Sequence, residues 1–304
     1  MFKKPTNLLN NLIKITTDAP ADVPTQNRVI TKLTIPDGPL TLQVFNPGSS
    51  SIFAVSSTLI IGPTEVALVD TQFQKNDAED LVKLIKSCGK KLTLVYISHG
   101  DPDYYFGNEV IKNAFSECPF YATKHTIDQI ESTKAAKLAF WSPTLKENAP
   151  KNIVVPQLLT NHLFTVDGHQ VEVTGSVPEK TTCWVPSMKA ILGGFPVFGN
   201  NVHLWLADDQ TPESRSDWYQ SLISIGNHYP DIVVPSHFYP GIPFDVQNVE
   251  FSEQYLSEVE RQLPLATNSA EFVNVMEIKY PTLQIKSNLE TSAKVLKGEM
   301  KWPQ

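Results

Sequence analysis

The sequence has few cysteines, and their arrangement argues against a cysteine-based site. The 304 residues include only Cys88, Cys118 and Cys183, and none of them belongs to a CxxC pair. An odd number without paired spacing predicts neither a disulfide framework nor a thiolate zinc site. We therefore expect three small buried side chains in a cytoplasmic protein. A periplasmic location stays open, because a chain that had lost an export signal would show the same sequence.

Several other features that would indicate a function class are also missing. No run approaches the roughly 18 consecutive apolar residues that a membrane span requires. The formal net charge is −7 and no Lys/Arg cluster is long enough to follow a phosphate backbone, so we expect no nucleic-acid partner. The sequence contains neither a GxSxG elbow nor a phosphate-binding glycine loop. The expected partner is a small-molecule substrate.

The pattern of apolar residues predicts an α/β fold. A short apolar run at 65–71, a segment of helical spacing at 76–89 and a second apolar run at 92–99 read as strand, helix and strand. Strands are expected again through most of 152–207, including VHLWLA at 202–207. Helical spacing dominates the last 55 or so residues.

These patterns divide the chain into three expected parts. Residues 1–40 are polar and proline-rich, which predicts an irregular arm. Residues 41–245 form the main domain, and residues 246–304 a helical extension. We expect this extension either to cover the site or to form a dimer contact, and the sequence does not decide between the two.

Polar side chains follow three of the predicted strands, where α/β folds place reactive groups. The first strand ends at Asp70, the second runs into SHGDPDYYFG at 98–107, and the third ends in VPSH at 234–237. Histidine and carboxylate side chains at neighbouring strand ends are typical ligands of zinc, iron or manganese. The candidate metal ligands are His99, Asp101, Asp103 and His237.

These segments resemble the metallo-β-lactamase superfamily. The family signature His-x-His-x-Asp-His, followed by glycine, is similar to HGDPDY at 99–104 and Gly107. The step VDT at 69–71 resembles the family's structural Val-Asp-Thr, and VPSH at 234–237 resembles the strand that ends in its last metal-ligating histidine. The resemblance covers roughly residues 40–240. It implies an αβ/βα four-layer sandwich and a metal-dependent hydrolase.

The sequence departs from the family pattern at four ligand positions. Asp101 and Tyr104 stand where the signature has histidines, and Ser176 falls where another family histidine is expected. The family's bridging aspartate falls on GGF at 193–195, which holds no acid. The resemblance therefore implies one divalent metal, zinc first and iron or manganese as alternatives, instead of a pair.

Two interpretations of the site remain open. In the first, His99, Asp101, Asp103 and His237 bind one metal. Asp103 or Asp101 then acts as the base on a metal-bound water, and Tyr104 or Tyr105 donates to the developing oxyanion. The substrate is then an ester, lactone, thioester or amide. In the second, the loop is a relic in which Asp101 and Asp103 cap the following helix. The protein is then a metal-free binding or scaffold protein of the same fold.

Charged residues beyond these loops have a simpler expectation. We expect Asp208 and Asp209 to be solvated loop acids, and Lys180 and Arg215 to lie at the surface as most charged side chains do.

Overall fold

Two β-sheets packed face to face form the centre of the computed structural model, which describes residues 13–18 and 28–302. In the first sheet the strands lie side by side in chain order, antiparallel up to β5 and parallel from β5 onward. Its strands are β1 (Lys14–Asp18), β2 (Val29–Thr34), β3 (Thr41–Asn46), β4 (Ser57–Ile61), β5 (Glu65–Val69), β6 (Lys91–Ile97), β7 (Phe120–Ala122) and β8 (Gln157–Leu158).

The second sheet has the order β13-β12-β11-β10-β9, and only its β12–β13 pair is parallel. Its strands are β9 (Leu163–Val166), β10 (His169–Thr174), β11 (Thr182–Val185), β12 (Ala190–Leu192) and β13 (Ile232–Val233). Parallel pairing places the carboxyl ends of neighbouring strands at one edge of a sheet. The loops after β5, β6 and β13 carry Asp70, His99 and His237.

Helices cover the outer face of each sheet. The first sheet is followed or covered by α1 (Lys75–Ser87), α2 (Pro102–Tyr105), α3 (Asn108–Ala114) and α4 (Lys124–Leu145). The second is covered by α5 (Pro212–Asn227), α6 (Gln247–Gln262), α7 (Ser269–Lys279) and α8 (Lys286–Leu296). No helix in residues 13–18 and 28–302 is long and apolar enough to cross a membrane.

The strands bury both of their faces, which is why the fold has four layers. Along β5, Ala67 and Val69 pack between the sheets, while Val66 and Leu68 pack under the helices. Along β12, Ala190 faces the other sheet and Ile191 faces the C-terminal helices. This alternation follows from the two-residue period of a strand. The predicted αβ/βα four-layer sandwich with C-terminal helices is confirmed; its domain boundaries stay a prediction.

Two local expectations are corrected. The stretch 1–40 is not irregular throughout, because β1 and β2 extend the first sheet; residues 1–12 and 19–27 lie outside the described residues. The segment 202–207 is not a sheet strand. Its backbone bonds instead to the C-terminal region, where His203 N–H donates to the Gln284 carbonyl at 3.0 Å and Leu206 N–H to Ser292 Oγ at 2.8 Å.

Candidate functional site

A buried hydrogen-bond chain joins the ends of β5, β6 and β12. The Asp70 carboxylate accepts from Ser98 N–H at 2.8 Å and from Ser98 Oγ at 2.6 Å. Ser98 Oγ in turn accepts from Gly194 N–H at 2.7 Å. Asp70 therefore fixes the backbone on either side of the site, and it acts as a positioning residue.

Asp70 makes stability depend on pH. Burial raises its pKa to about 7 despite the bonds from Ser98, whereas in the unfolded chain an aspartate titrates near 4. Between these values the folded protein holds the extra proton, so the contribution of Asp70 to stability falls as pH rises through this window. We expect the unfolding free energy of the wild type, relative to Asp70→Asn, to fall by about 2 kcal/mol from pH 5 to pH 7. Urea titrations at both pH values measure it, and a constant difference would contradict it.

The loop after β6 turns tightly against the end of β5. Thr71 N–H donates to the Tyr104 carbonyl and Gly107 N–H to the Gln72 carbonyl, both at 2.9 Å. A Cβ at Gly107 would lie 1.9 Å from the Thr71 carbonyl oxygen, so only glycine fits there. Asp101 holds the cap position of α2, but no side chain makes a capping hydrogen bond. The capping role expected for Asp101 is therefore not the one it has.

Asp101 is instead paired with a lysine from α4. Lys137 Nζ donates to Asp101 Oδ1, and Asp101 Oδ2 lies 3.4 Å from His99 Nδ1. Burial would raise the pKa of Asp101, but the Lys137 ammonium holds it below its ordinary value. Burial lowers the pKa of His99 to about 4. At neutral pH the group therefore consists of an ammonium–carboxylate pair beside a neutral imidazole.

Asp103 and His237 form a second pair. His237 Nε2 lies 2.8 Å from Asp103 Oδ2, and its Nδ1 lies 3.1 Å from Ser236 Oγ. The Phe198 ring stacks on the imidazole with ring centroids 5.0 Å apart. Both ring nitrogens thus have polar neighbours, and the imidazole is fixed in orientation.

A cavity of about 140 Å³ opens above these pairs. Its polar lining includes Asp101, Asp103, Tyr104, Lys137, Asp208 and His237. Its aromatic walls are Phe53, Phe140, Trp141, Phe195, Trp205 and Trp302. The site is thus a mostly apolar pocket with a few convergent polar groups, which is the usual form of a small-molecule site.

The structure brings some of the predicted site residues into the pocket and leaves others outside it. Asp101, Asp103, Tyr104 and His237 line the pocket, whereas His99 does not and packs against the rings of Tyr104 and Phe195. The sequence also predicted Ser176 at a ligand position. Ser176 is exposed and does not line the pocket.

Two charged lining residues, Lys137 and Asp208, were missed by sequence reasoning. Lys137 lies on α4 between Thr133 and Trp141, and this four-residue spacing of lining residues was the available signal. Asp208, expected to be solvated, lines the pocket and accepts hydrogen bonds from the indole N–H groups of Trp205 and Trp302, the latter at 2.9 Å.

Three other charged residues expected to be solvated or at the surface are buried, namely Lys180, Asp209 and Arg215. Lys180 Nζ lies 2.9 Å from the Asp209 carboxylate, and both side chains are inaccessible to solvent. Arg215 is buried beside them and donates to the carbonyls of Asp209 and Gln210. Burying a charge is costly unless it is paired, and here each charge has its partner.

The donor set does not fit the divalent metal that the resemblance implies. Among residues 13–18 and 28–302, no group of three or more His, Cys, Asp or Glu side chains is placed to hold a metal ion. The four predicted ligands form two separate pairs, and a lysine already neutralises Asp101. Burial raises the pKa of Tyr104 well above 10, and a neutral phenol is a weak ligand.

The missing acid cannot be supplied at the glycine pair. Gly194 has φ 75°, and a Cβ there would lie 2.0 Å from the Thr181 carbonyl oxygen. Gly193 also has positive φ, and its Cβ would lie 2.9 Å from Val69. The Phe195 ring that follows stacks on His99. The backbone at 193–195 therefore leaves no space for a bridging carboxylate.

The fold can be compared with proteins of known structure. Neither a protein-family profile nor a curated protein matches the sequence. A structure of DIM-1 metallo-β-lactamase is 19% identical with a TM-score of 0.53, and the match covers 81% of this chain and 99% of that one. DIM-1 exposed to ceftazidime is 16% identical with a TM-score of 0.51, and VMB-1 at pH 5.5 is 17% identical with a TM-score of 0.51. Both matches cover 81% of this chain and 98% of the other. The chain therefore has the metallo-β-lactamase fold.

Proposed function

We propose that the protein hydrolyses a small ester, lactone, thioester or amide with an apolar body. The observation that carries the proposal is the Asp103–His237 pair in the lining of an aromatic-walled pocket. A cavity near 150 Å³ is about the size that accepts benzene. The pocket of about 140 Å³ therefore suits a substrate whose buried part is one ring or a short acyl chain.

Asp103 is the base in this proposal. Its Oδ2 is held by His237 Nε2 at 2.8 Å, which orients the carboxylate toward the pocket that it lines. The carboxylate takes a proton from water as the water oxygen attacks the substrate carbonyl. When the tetrahedral intermediate collapses, the same proton passes from Asp103 to the leaving group. His237 acts through Asp103, so it is a positioning residue.

Tyr104 and Lys137 are the donors for the developing oxyanion. The Tyr104 hydroxyl is buried and has no hydrogen-bond partner of normal geometry among the described residues. Its pKa is raised well above 10 by burial, so the proton that it would donate is retained. Lys137 lines the same pocket and supplies a positive charge. Such preorganised donors stabilise the transition state more than they stabilise the substrate.

A second candidate is binding without catalysis. It is favoured by the internal pairing of the polar groups, because Asp101 is neutralised by Lys137 and both nitrogens of His237 have polar neighbours. In that case the aromatic walls would retain a small apolar ligand and the paired groups would only satisfy one another.

An activity panel, run both with and without a chelator, separates the candidates. Aryl and alkyl esters, a lactone, a thioester and an anilide are assayed with the wild type and with Asp103→Asn. We expect turnover of at least one class, with a preference for ring-sized apolar groups, and loss of turnover in the variant. If apolar ligands bind, but the wild type turns over no substrate class faster than Asp103→Asn does, the protein is a binding protein.

The same panel tests the implied metal. Since the donor set does not fit one, we expect activity to survive EDTA and to be unchanged by zinc, iron or manganese. Activity that is lost with EDTA, is restored by one of these ions and is absent in both His99→Ala and His237→Ala would contradict this expectation.

A further inference from the structure

We propose that the Lys137 ammonium is the resident cation of this site and excludes divalent metals from it. The inference concerns how the charge of Asp101 is balanced, and it holds whether the pocket hydrolyses its ligand or only binds it. It accounts for a metallo-β-lactamase fold whose signature loop keeps carboxylates without a set of metal ligands.

The position of the Lys137 ammonium supports this proposal. Lys137 Nζ donates to Asp101 Oδ1, and both side chains are largely buried. The other oxygen, Oδ2, faces His99 Nδ1 at 3.4 Å, so this oxygen and nitrogen are the donors that a metal at this place would share. The lone pair of His99 Nδ1 already accepts the backbone N–H of Asp101 at 3.3 Å. The Asp101 carboxylate and the Nδ1 atom of His99 are therefore engaged within the protein.

Electrostatic repulsion also opposes a divalent ion at this place. A divalent ion bound to Asp101 would lie close to a buried positive charge, and like charges repel strongly where water is excluded. The ion pair with the Asp101 carboxylate favours the charged form of Lys137.

The ammonium is carried by a helix. Lys137 lies within α4, a helix of 22 residues, and not on a loop that could move aside. Thr133 and Trp141, one turn away on either side, line the same pocket. The face of α4 that carries Lys137 is therefore fixed toward the signature loop.

The test replaces the ammonium and measures zinc binding. The variants are Lys137→Glu, which puts a carboxylate beside His99 and Asp101, Lys137→Gln, which removes the charge, and Lys137→Arg, which retains it. Lys134→Glu is the matched control, because Lys134 lies one turn earlier on α4 and pairs with Glu131 outside the pocket. Each protein is dialysed against zinc, its metal content is measured, and Tm is compared with and without zinc.

We expect less than a tenth of an equivalent of zinc, and no zinc-dependent change in Tm, for the wild type, Lys137→Arg and Lys134→Glu. Lys137→Glu should take up about one equivalent and gain Tm with zinc, and adding His99→Ala should abolish both effects. Lys137→Gln should bind zinc at least tenfold more tightly than the wild type, and it decides the question if Lys137→Glu does not fold. A full equivalent of zinc in the wild type, or no gain in folded Lys137→Gln, overturns the proposal.

Discussion

Replacing Asp103 with asparagine is expected to lower kcat/KM by roughly 10²- to 10⁴-fold, the usual range for loss of a general base. An asparagine amide cannot take the proton from water, yet its carbonyl oxygen can still accept the His237 Nε2–H bond that Asp103 Oδ2 makes at 2.8 Å. The pocket therefore keeps its shape while losing the proton acceptor. Steady-state kinetics on the best substrate of the panel measure the effect.

The control for this variant is the same chemical change outside the pocket. Asp128→Asn lies on the exposed side of α4, where Asp128 pairs with Lys124. It should leave kcat/KM within a factor of two, because the pocket does not include it. An Asp103→Asn protein that keeps more than a tenth of wild-type kcat/KM would remove Asp103 from the role of base.

Replacing Lys137 with methionine is expected to lower the free energy of unfolding by about 3 kcal/mol, because breaking a buried ion pair leaves one charge without compensation. The side chains of Lys137 and Asp101 are 17% and 14% exposed, so solvent screens the remaining carboxylate only partly. Adding Asp101→Asn removes that charge, and the double variant should recover most of the loss. Urea unfolding of the wild type, the two single variants and the double variant gives the coupling energy directly.

Lys134 provides the control for the substitution at Lys137. Lys134→Met on the same helix removes a more exposed ion pair with Glu131 and should cost less than about 0.5 kcal/mol. If the two substitutions at Lys137 and Asp101 are instead additive, the pair contributes no coupling, and Lys137 does not balance the charge of Asp101.

The fold and the signature loop were accessible from the sequence because their signals are local. The apolar runs that became β5 and β6 alternate around a helix of clear periodicity, and Asp70 and His99 follow them directly. Each of these features is decided by neighbours within a few residues.

The electrostatics of the pocket were not accessible, because they depend on residues far apart in the chain. Lys137 meets Asp101 across 36 positions. Asp208 was expected to be solvated, but it lines the pocket, is only partly exposed and accepts a hydrogen bond from Trp302, 94 positions away. The segment 202–207 was predicted as a strand, but its backbone bonds to the C-terminal region and not to a sheet. Tertiary packing decided all three.

The tryptophans give the pocket an intrinsic optical reporter. Of the five in the sequence, Trp141, Trp205 and Trp302 line the cavity, while Trp184 and Trp218 do not. Two of the three donate to the Asp208 carboxylate, so their emission depends on the charge and hydration beside them. Entry of a ligand would displace water from these indoles and change their fluorescence. Screening for ligands therefore needs neither a label nor a known reaction.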